Sequence, residues 1–378
     1  MVRFRSVLLM AALVTAALGS LAALRAADPP ALSVLDSAAS IQWRDKTLED
    51  AVTDLREKHK LDVSVDRTSI ENEGLVTTNI KFNLELRGMS LRNILWLALD
   101  GYHLELLEKE DGPQITSRPV AEDAFMLKEY DLKPLGAHVK SDQAVIDLAR
   151  GCVEAHWKDT DQYGGEIEVA DGKLKVRQIP RVHAKLDQLF SQLYQELGTG
   201  KKPALTLTEK NEKLIADNLA KPGAKKLKVA DELPFKDLMT EFANAYSVFV
   251  WVDGEGLSDV GVGYTQNVKP QPEGKTAGEI LESLLAPHDL GAVITHETLL
   301  ITSKAKANYP DHVRVFNTRA KGGVKMKGTP DEIVRKLQES EEFGLWGDGG
   351  GGATVFGPLV VVRQTQPVLN RIGKAFYK

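Results

Sequence analysis

The residues of this chain whose types and spacing could do chemistry fall into a few sets, each pointing to a different reaction. Gly274-Lys275-Thr276 is the ending of a phosphate-binding loop. Such a loop needs Gly-x-x-x-x-Gly-Lys-Thr after a strand, so that backbone N–H groups cradle the phosphates. Here the position that must be glycine is Lys269, and Pro270 and Pro272 interrupt the approach. Thr276-Ala277-Gly278-Glu279 reads instead as a capping box opening a helix. Gly349 to Gly352 resembles a dinucleotide cradle, which requires a strand before it and a helix after it. A helix-like segment precedes it and strand, turn, strand follows, so a flexible turn is expected. The eight histidines, His59, His103, His138, His156, His183, His288, His296 and His312, form neither HExxH nor HxH. Asp66 and Asp253 end equivalent strands, and paired carboxylates can serve hydrolysis. Each is followed by a short loop whose N–H groups a carboxylate can cap, the simpler use of it. A serine nucleophile would need a Gly-x-Ser-x-Gly elbow, and none occurs. The single cysteine, Cys152, allows no internal disulfide and no cysteine-based metal site. It reads as a buried thiol at a helix end. No catalytic residue, cofactor or metal ligand is therefore expected.

One pair of residues recurs. Arg177-Gln178 and Arg363-Gln364 each stand at a strand-to-helix junction after an alternating strand. Two readings are open: the arginine contacts an anion or a peptide, or Arg and Gln satisfy carbonyls at the same corner twice. These four residues are the candidate partner contacts.

The elements that must position them are written twice. Residues 44–66 and 231–253 share an apolar helical face, with Leu48, Ala51, Val52 and Leu55 against Phe235, Leu238, Met239 and Phe242. Both sets follow the i, i+3, i+4, i+7 spacing of one helix face, and each helix gives way to a short strand ending in Asp. Pro234 is read at the first turn of the second helix. Further on, 87–99 matches 273–285 at an offset of 186 residues, and Ile115-Thr116-Ser117 matches Ile301-Thr302-Ser303. A second kind of unit repeats at the same offset, 173–190 against 359–376, each preceded by a helix and a Gly-rich turn. Thr329-Pro330-Asp331-Glu332 is the capping box of the later helix.

The expected organisation is a leader at 1–26, unit A1 at 40–118, unit B1 at 126–197, a linker at 198–226 with a short helix, unit A2 at 227–303 and unit B2 at 312–378. Short amphipathic helices mixed with alternating strands, without strict βαβ order, predict an α+β class of tandem small two-layer sandwiches. Units of this size bury a limited core, so packing of unit on unit is expected to supplement it.

Arg3 and Arg5 precede an apolar run from Val7 to Leu24, and small residues follow. This is the layout of a secretory signal, cleaved after Ala22 or Ala26, with an uncleaved N-terminal anchor as the alternative. The chain is placed in the periplasm or cell envelope. Its formal net charge of −5 becomes more negative once Arg3, Arg5 and Arg25 are removed, which disfavours nucleic acid as a partner; no nucleotide is expected either. The basic cluster at Lys221 to Lys228 lies in the linker and reads as solvated.

Unit A resembles the short N-terminal domain shared by secretins and TonB-dependent receptors. The likeness is carried by "TLEDAVTDLREKHKLDVSVD", "RGMSLRNILWLAL" and "PQITS", and again by "PFKDLMTEFANAYSVFVWVD", "EGKTAGEILESLL" and "TLLITS". It covers both A units, and unit B is similar in style to the later modules of secretin periplasmic regions. The resemblance implies binding without catalysis: docking of envelope proteins, homo-oligomeric rings, and no enzyme. Unlike that family, the chain is expected to carry no barrel-forming region after the last B helix. The expectation is a non-enzymatic, exported interaction or assembly module of the bacterial envelope, with edge-strand addition as a binding mode. The alternatives are a regulatory module coupled to TonB-type receptors and an envelope hydrolase with an atypical site.

Overall fold

The computed structural model describes residues 34–109, 111–199, 206–223, 227, 232–319, 327–344, 346 and 350–377. The leader, parts of the linker and Gly349 lie outside them. The chain is α+β, built of sheets of two or three strands with helices packed on them.

The first group of elements starts with a long antiparallel ribbon, β1 (Ala38–Thr47) on β3 (Lys81–Ser90). Its alternation puts Ile41, Trp43, Phe82 and Leu86 on the core side. Helix α1 (Leu48–His59) starts where Thr47 accepts the Asp50 N–H and ends at Lys60 in the left-handed conformation, φ 56°. Helix α2 (Leu91–Asp100) buries Leu91, Ile94, Leu95 and Ala98. Strands β2 (Ser64–Val65), β4 (Leu104–Lys109) and β5 (Gly112–Ser117) form a sheet in the order β2-β5-β4, with β2 parallel to β5 and β4 antiparallel to it.

The next group is a sheet of β6 (Met126–Asp131), β7 (Glu166–Ala170) and β8 (Lys173–Gln178) in the order β6-β8-β7. Helices α3 (Asp142–Cys152) and α4 (Pro180–Glu196) cover one face. Helix α5 (Leu207–Leu219) follows, opened by a capping box between Thr206 and Glu209.

The third group repeats the first in strand order. Strands β10 (Val250–Val252), β12 (Leu290–Thr295) and β13 (Thr298–Ser303) pair as β10-β13-β12, again parallel then antiparallel. Helices α6 (Phe235–Tyr246) and α7 (Ala277–Leu285) form its core. In place of the long ribbon, its described residues pair β9 (Leu233–Pro234) on β11 (Asn267–Val268). Pro234 is therefore not inside the helix, as the sequence suggested. It pairs with Asn267 and is the N-cap of α6, with the extended ψ of 141° that strand pairing demands.

The last group repeats the second. Strands β14 (His312–Asn317), β15 (Gly352–Phe356) and β16 (Leu359–Gln364) pair as β14-β16-β15, with α8 (Pro330–Glu339) and α9 (Gln366–Phe376) on one face. Its central strand does not alternate as expected. Leu359, Val360, Val361 and Val362 are all buried. Val360 and Val362 face α8 and α9, whereas Leu359 and Val361 join Val313, Val315 and Phe356 in the core of the second group. A strand covered on both faces reads as a continuous apolar run.

Candidate functional site: repeated corners and the two junctions

The repeated Arg-Gln corner is built the same way twice. Gln178 and Gln364 are buried. Gln178 Nε2 donates to His156 O (2.8 Å), and its Oε1 accepts the Ile179 N–H at the start of α4 (2.9 Å). Gln364 Nε2 lies 3.4 Å from Phe343 O, and its Oε1 accepts the Thr365 N–H at the start of α9 (2.8 Å). Each amide thus ties a helix entry to a preceding loop, where a buried peptide group left alone would be costly. Glycine is required where that loop passes the corner. A Cβ on Gly165 would lie 2.3 Å from Arg177 O, and one on Gly351 would lie 2.7 Å from Arg363 O. At these two positions the Gly-rich turns are close-approach sites, not flexible ones.

The arginines part company. Arg363 is half-buried at the edge of the B1–B2 junction, donating to Pro310 O (3.3 Å) and Gly350 O (3.4 Å). Arg177 is exposed in the middle of the open face of β6-β8-β7. Of the four candidate residues, only Arg177 presents its charged head to an outside molecule.

That open face has a counterpart 186 residues on. Leu127, Glu129, Lys173, Lys175 and Arg177 line it in B1, where Val313, Val315, Leu359, Val361 and Arg363 line it in B2. The B2 face is apolar and closes on α3 and α4 of B1. Helix α4 also lies along the outer edge of β14. Gln192 Nε2 donates to Val313 O (3.2 Å) and its Oε1 accepts the Val315 N–H (2.9 Å), as a neighbouring strand would. Asn317 Nδ2 donates to Glu196 O (2.6 Å), and ion pairing of Lys185 with Asp311 and a bond from Tyr309 to Glu154 finish the rim. The B1 face is charged and open: Lys173 pairs with Glu129 (2.5 Å) and Leu127 is 65% exposed.

The junction of A1 with A2 is polar. The β12–β13 turn, His296-Glu297, has positive φ at both residues (49° and 62°), the geometry of a tight two-residue hairpin. It inserts at the N-terminus of α2. His296 stacks on Trp96 with ring centroids 3.8 Å apart, and its Nδ1–H donates to Asn93 Oδ1 (3.3 Å). Glu297 is buried, and its carboxylate accepts from Ser90 N (3.1 Å), Asn93 Nδ2 (2.8 Å), Thr208 Oγ1 (2.9 Å) and Asn211 Nδ2 (2.5 Å). Burial opposes its charge, but the bonds from Ser90, Asn211 and Asn93 outweigh it and hold the carboxyl below its ordinary value.

The repeat explains why Glu297 is there. In A2 the helix N-cap Thr276 has Glu279 three residues on, and Glu279 accepts the Thr276 N–H (3.3 Å) while Thr276 accepts the Glu279 N–H (3.2 Å). In A1 the N-cap is Ser90, and the third position is Asn93. The carboxylate missing from A1 is supplied by Glu297, so this capping box is split between two units. Sequence reasoning missed Glu297. The available signal was Asn93 standing where the second copy has Glu279.

The remaining candidates occupy structural roles. Asp66 caps Ser69 N (3.1 Å), and Asp253 accepts from Thr302 Oγ1 (2.7 Å). His183 is buried between Tyr130 OH and Met126 O, 2.9 Å from each. Cys152 is buried, and burial pushes its thiol up to about 12. Among the described residues, no group of three or more His, Cys, Asp or Glu is placed to hold a metal ion, and no helix is long and apolar enough to cross a membrane.

No family model matches the chain, and no curated protein matches it. Solved structures similar to it include "Structure of XcpQN012", at 10% identity over 90% of this chain and 97% of that one, with a TM-score of 0.16. Another is the N-terminal domain of the secretin XcpQ from Pseudomonas aeruginosa, at 11% identity over 89% of this chain and 96% of that one, also with a TM-score of 0.16. Likeness this loose assigns no role to any residue of the chain.

Proposed function

We propose that this chain is a non-enzymatic, exported interaction module of the bacterial envelope, and that it meets its partner protein through the open face of β6-β8-β7. The export reading rests on the leader-like N-terminus. The observation that carries the docking reading is the use made of the same face in B2, where it covers another unit of this chain. In B1 that face stays open and carries Lys173, Lys175 and Arg177 down its central strand, with Glu129, Glu166 and Glu168 on the strands beside it. A partner suited to it is itself charged in alternation, so that desolvated groups are paired and orientation is set by complementarity.

The test is site-specific photocrosslinking in the native host. A photoreactive residue at Leu127 is expected to trap one defined envelope protein. The same group at Val313, its buried counterpart, is expected to trap none. Loss of the Leu127 product on reversing Lys173, Lys175 and Arg177 to Glu supports the reading. A product that survives the reversal, or none from Leu127, overturns it.

A further inference from the structure

The A1–A2 junction contains a second carboxylate, Glu212. Helix α5 crosses the junction like a strap. Asn211 Nδ2 donates to Gly88 O (3.0 Å) at the end of β3 and to Glu297 in the A2 turn, and Asn218 Nδ2 donates to Ser247 O (2.9 Å) in A2. Between them, Glu212 points at the same turn, its Oε1 accepting the Glu297 N–H at 3.5 Å. Two carboxylates of one junction thus meet at a single residue, one filling the cap of α2 and the other holding the backbone of the turn.

We propose that α5 and the His296-Glu297 turn form a proton-operated latch between A1 and A2, closed while Glu212 keeps its proton and loosened when it loses it. Geometry supplies the asymmetry. Glu297 has four donors for its carboxylate, whereas Glu212 has one long backbone bond and a negative neighbour. The charged groups on the elements around Glu212 do not relieve it. The hairpin brings Glu297 and His296, whose ring burial holds neutral to about pH 4. Strand β3 brings Arg87, already paired with Glu85 (2.5 Å). Helix α7 brings Glu279, engaged on its own N-cap, and α5 itself carries Glu209 in its capping box.

The two carboxylates titrate in opposite senses. Burial pushes Glu212 up to about 7; the Glu297 N–H works against this, and the charges of Glu297 and Glu209 add to it. Its contribution to the closed junction is complete below its ordinary value of 4.5 and is lost as the pH rises through about 7. Glu297 is depressed, so its contribution is present above 4.5 and is lost as the pH falls through its lower value. The latch therefore holds best in mildly acidic solution and loosens toward alkaline pH.

The experiment uses the full chain labelled for single-molecule energy transfer at exposed Val76 in A1 and Lys275 in A2, leaving buried Cys152 in place. The separated population is expected to grow about tenfold between pH 5.5 and pH 8, as loss of one proton at a group poised near 7 allows. Glu212→Gln is expected to stay closed at both. Identical distributions for the native chain at both pH values, or a Glu212→Gln variant that opens as the native chain does, overturn the proposal. Carboxyl NMR of the native chain gives a second reading that needs no variant. A Glu212 midpoint near 7 supports the latch, and one at or below 4.5 overturns it.

Discussion

The two junctions of this chain solve one problem with different chemistry. In both, the sheet of the later unit reaches the helices of the earlier one. At B1–B2 the contact is a wall of Val313, Val315, Phe356, Leu359 and Val361 with polar bonds at the rim. At A1–A2 the centre is polar, with Glu297 plugged into a helix N-terminus and Phe249 and Trp251 packed beside it. Apolar burial is tolerant of small shifts and hard to reverse. A buried carboxylate with four donors is specific in register and fails when its protonation changes. With the proposed latch, the A junction is the adjustable one and the B junction the fixed one.

The largest effect is expected at Val361, which is 1% exposed. Val361→Asp places an unpaired charge between B1 and B2 and is expected to cost about 4 kcal/mol or more in urea denaturation. Next comes the split cap. Glu297→Ala leaves the buried Ser90 N–H without its acceptor and takes one acceptor from the Asn93 and Asn211 amides and from Thr208 Oγ1, a loss of about 3 kcal/mol. Glu279→Ala removes the equivalent cap within one unit at an exposed site and is expected to cost only about 1 kcal/mol. Asn93→Glu added to Glu297→Ala restores an acceptor three residues after the N-cap and is expected to recover part of the loss in thermal unfolding. Gly165→Ala and Gly351→Ala force a methyl against the same corner in both B units, at about 2 kcal/mol each; a large inequality between them would show that the corners are not equivalent. The smallest effect belongs to Lys175→Ala, the counterpart of Val361 on the open face, expected within about 0.5 kcal/mol.

Much of the fold is written locally and was legible. The capping boxes at Thr276 and Thr329 and the apolar faces of α1 and α6 need only neighbours in sequence, and each forms where its spacing placed it. The long β1–β3 ribbon was not seen, because its pairs join residues as far apart as Ala38 and Ser90. The difference between the B faces was visible in type, as Lys173-Leu174-Lys175-Val176 against Leu359-Val360-Val361-Val362. Reading both as alternating strands hid it. The role of Glu297 was the least legible. It acts on Ser90 across 207 positions, and nothing near Glu297 in the chain announces that use. The four Arg-Gln residues read alike in sequence, but the glutamines are spent on helix entries and only Arg177 faces outward.

One sheet face is turned inward in B2 and outward in B1. Cysteines introduced singly at the paired positions, K175C and V361C, test it most directly by the rate of thiol labelling in the native chain, with Cys152 silent because it is buried. Position 175 is expected to react at least about 100-fold faster than position 361, which becomes reactive only through opening of the junction. Comparable labelling rates at the two positions would contradict it.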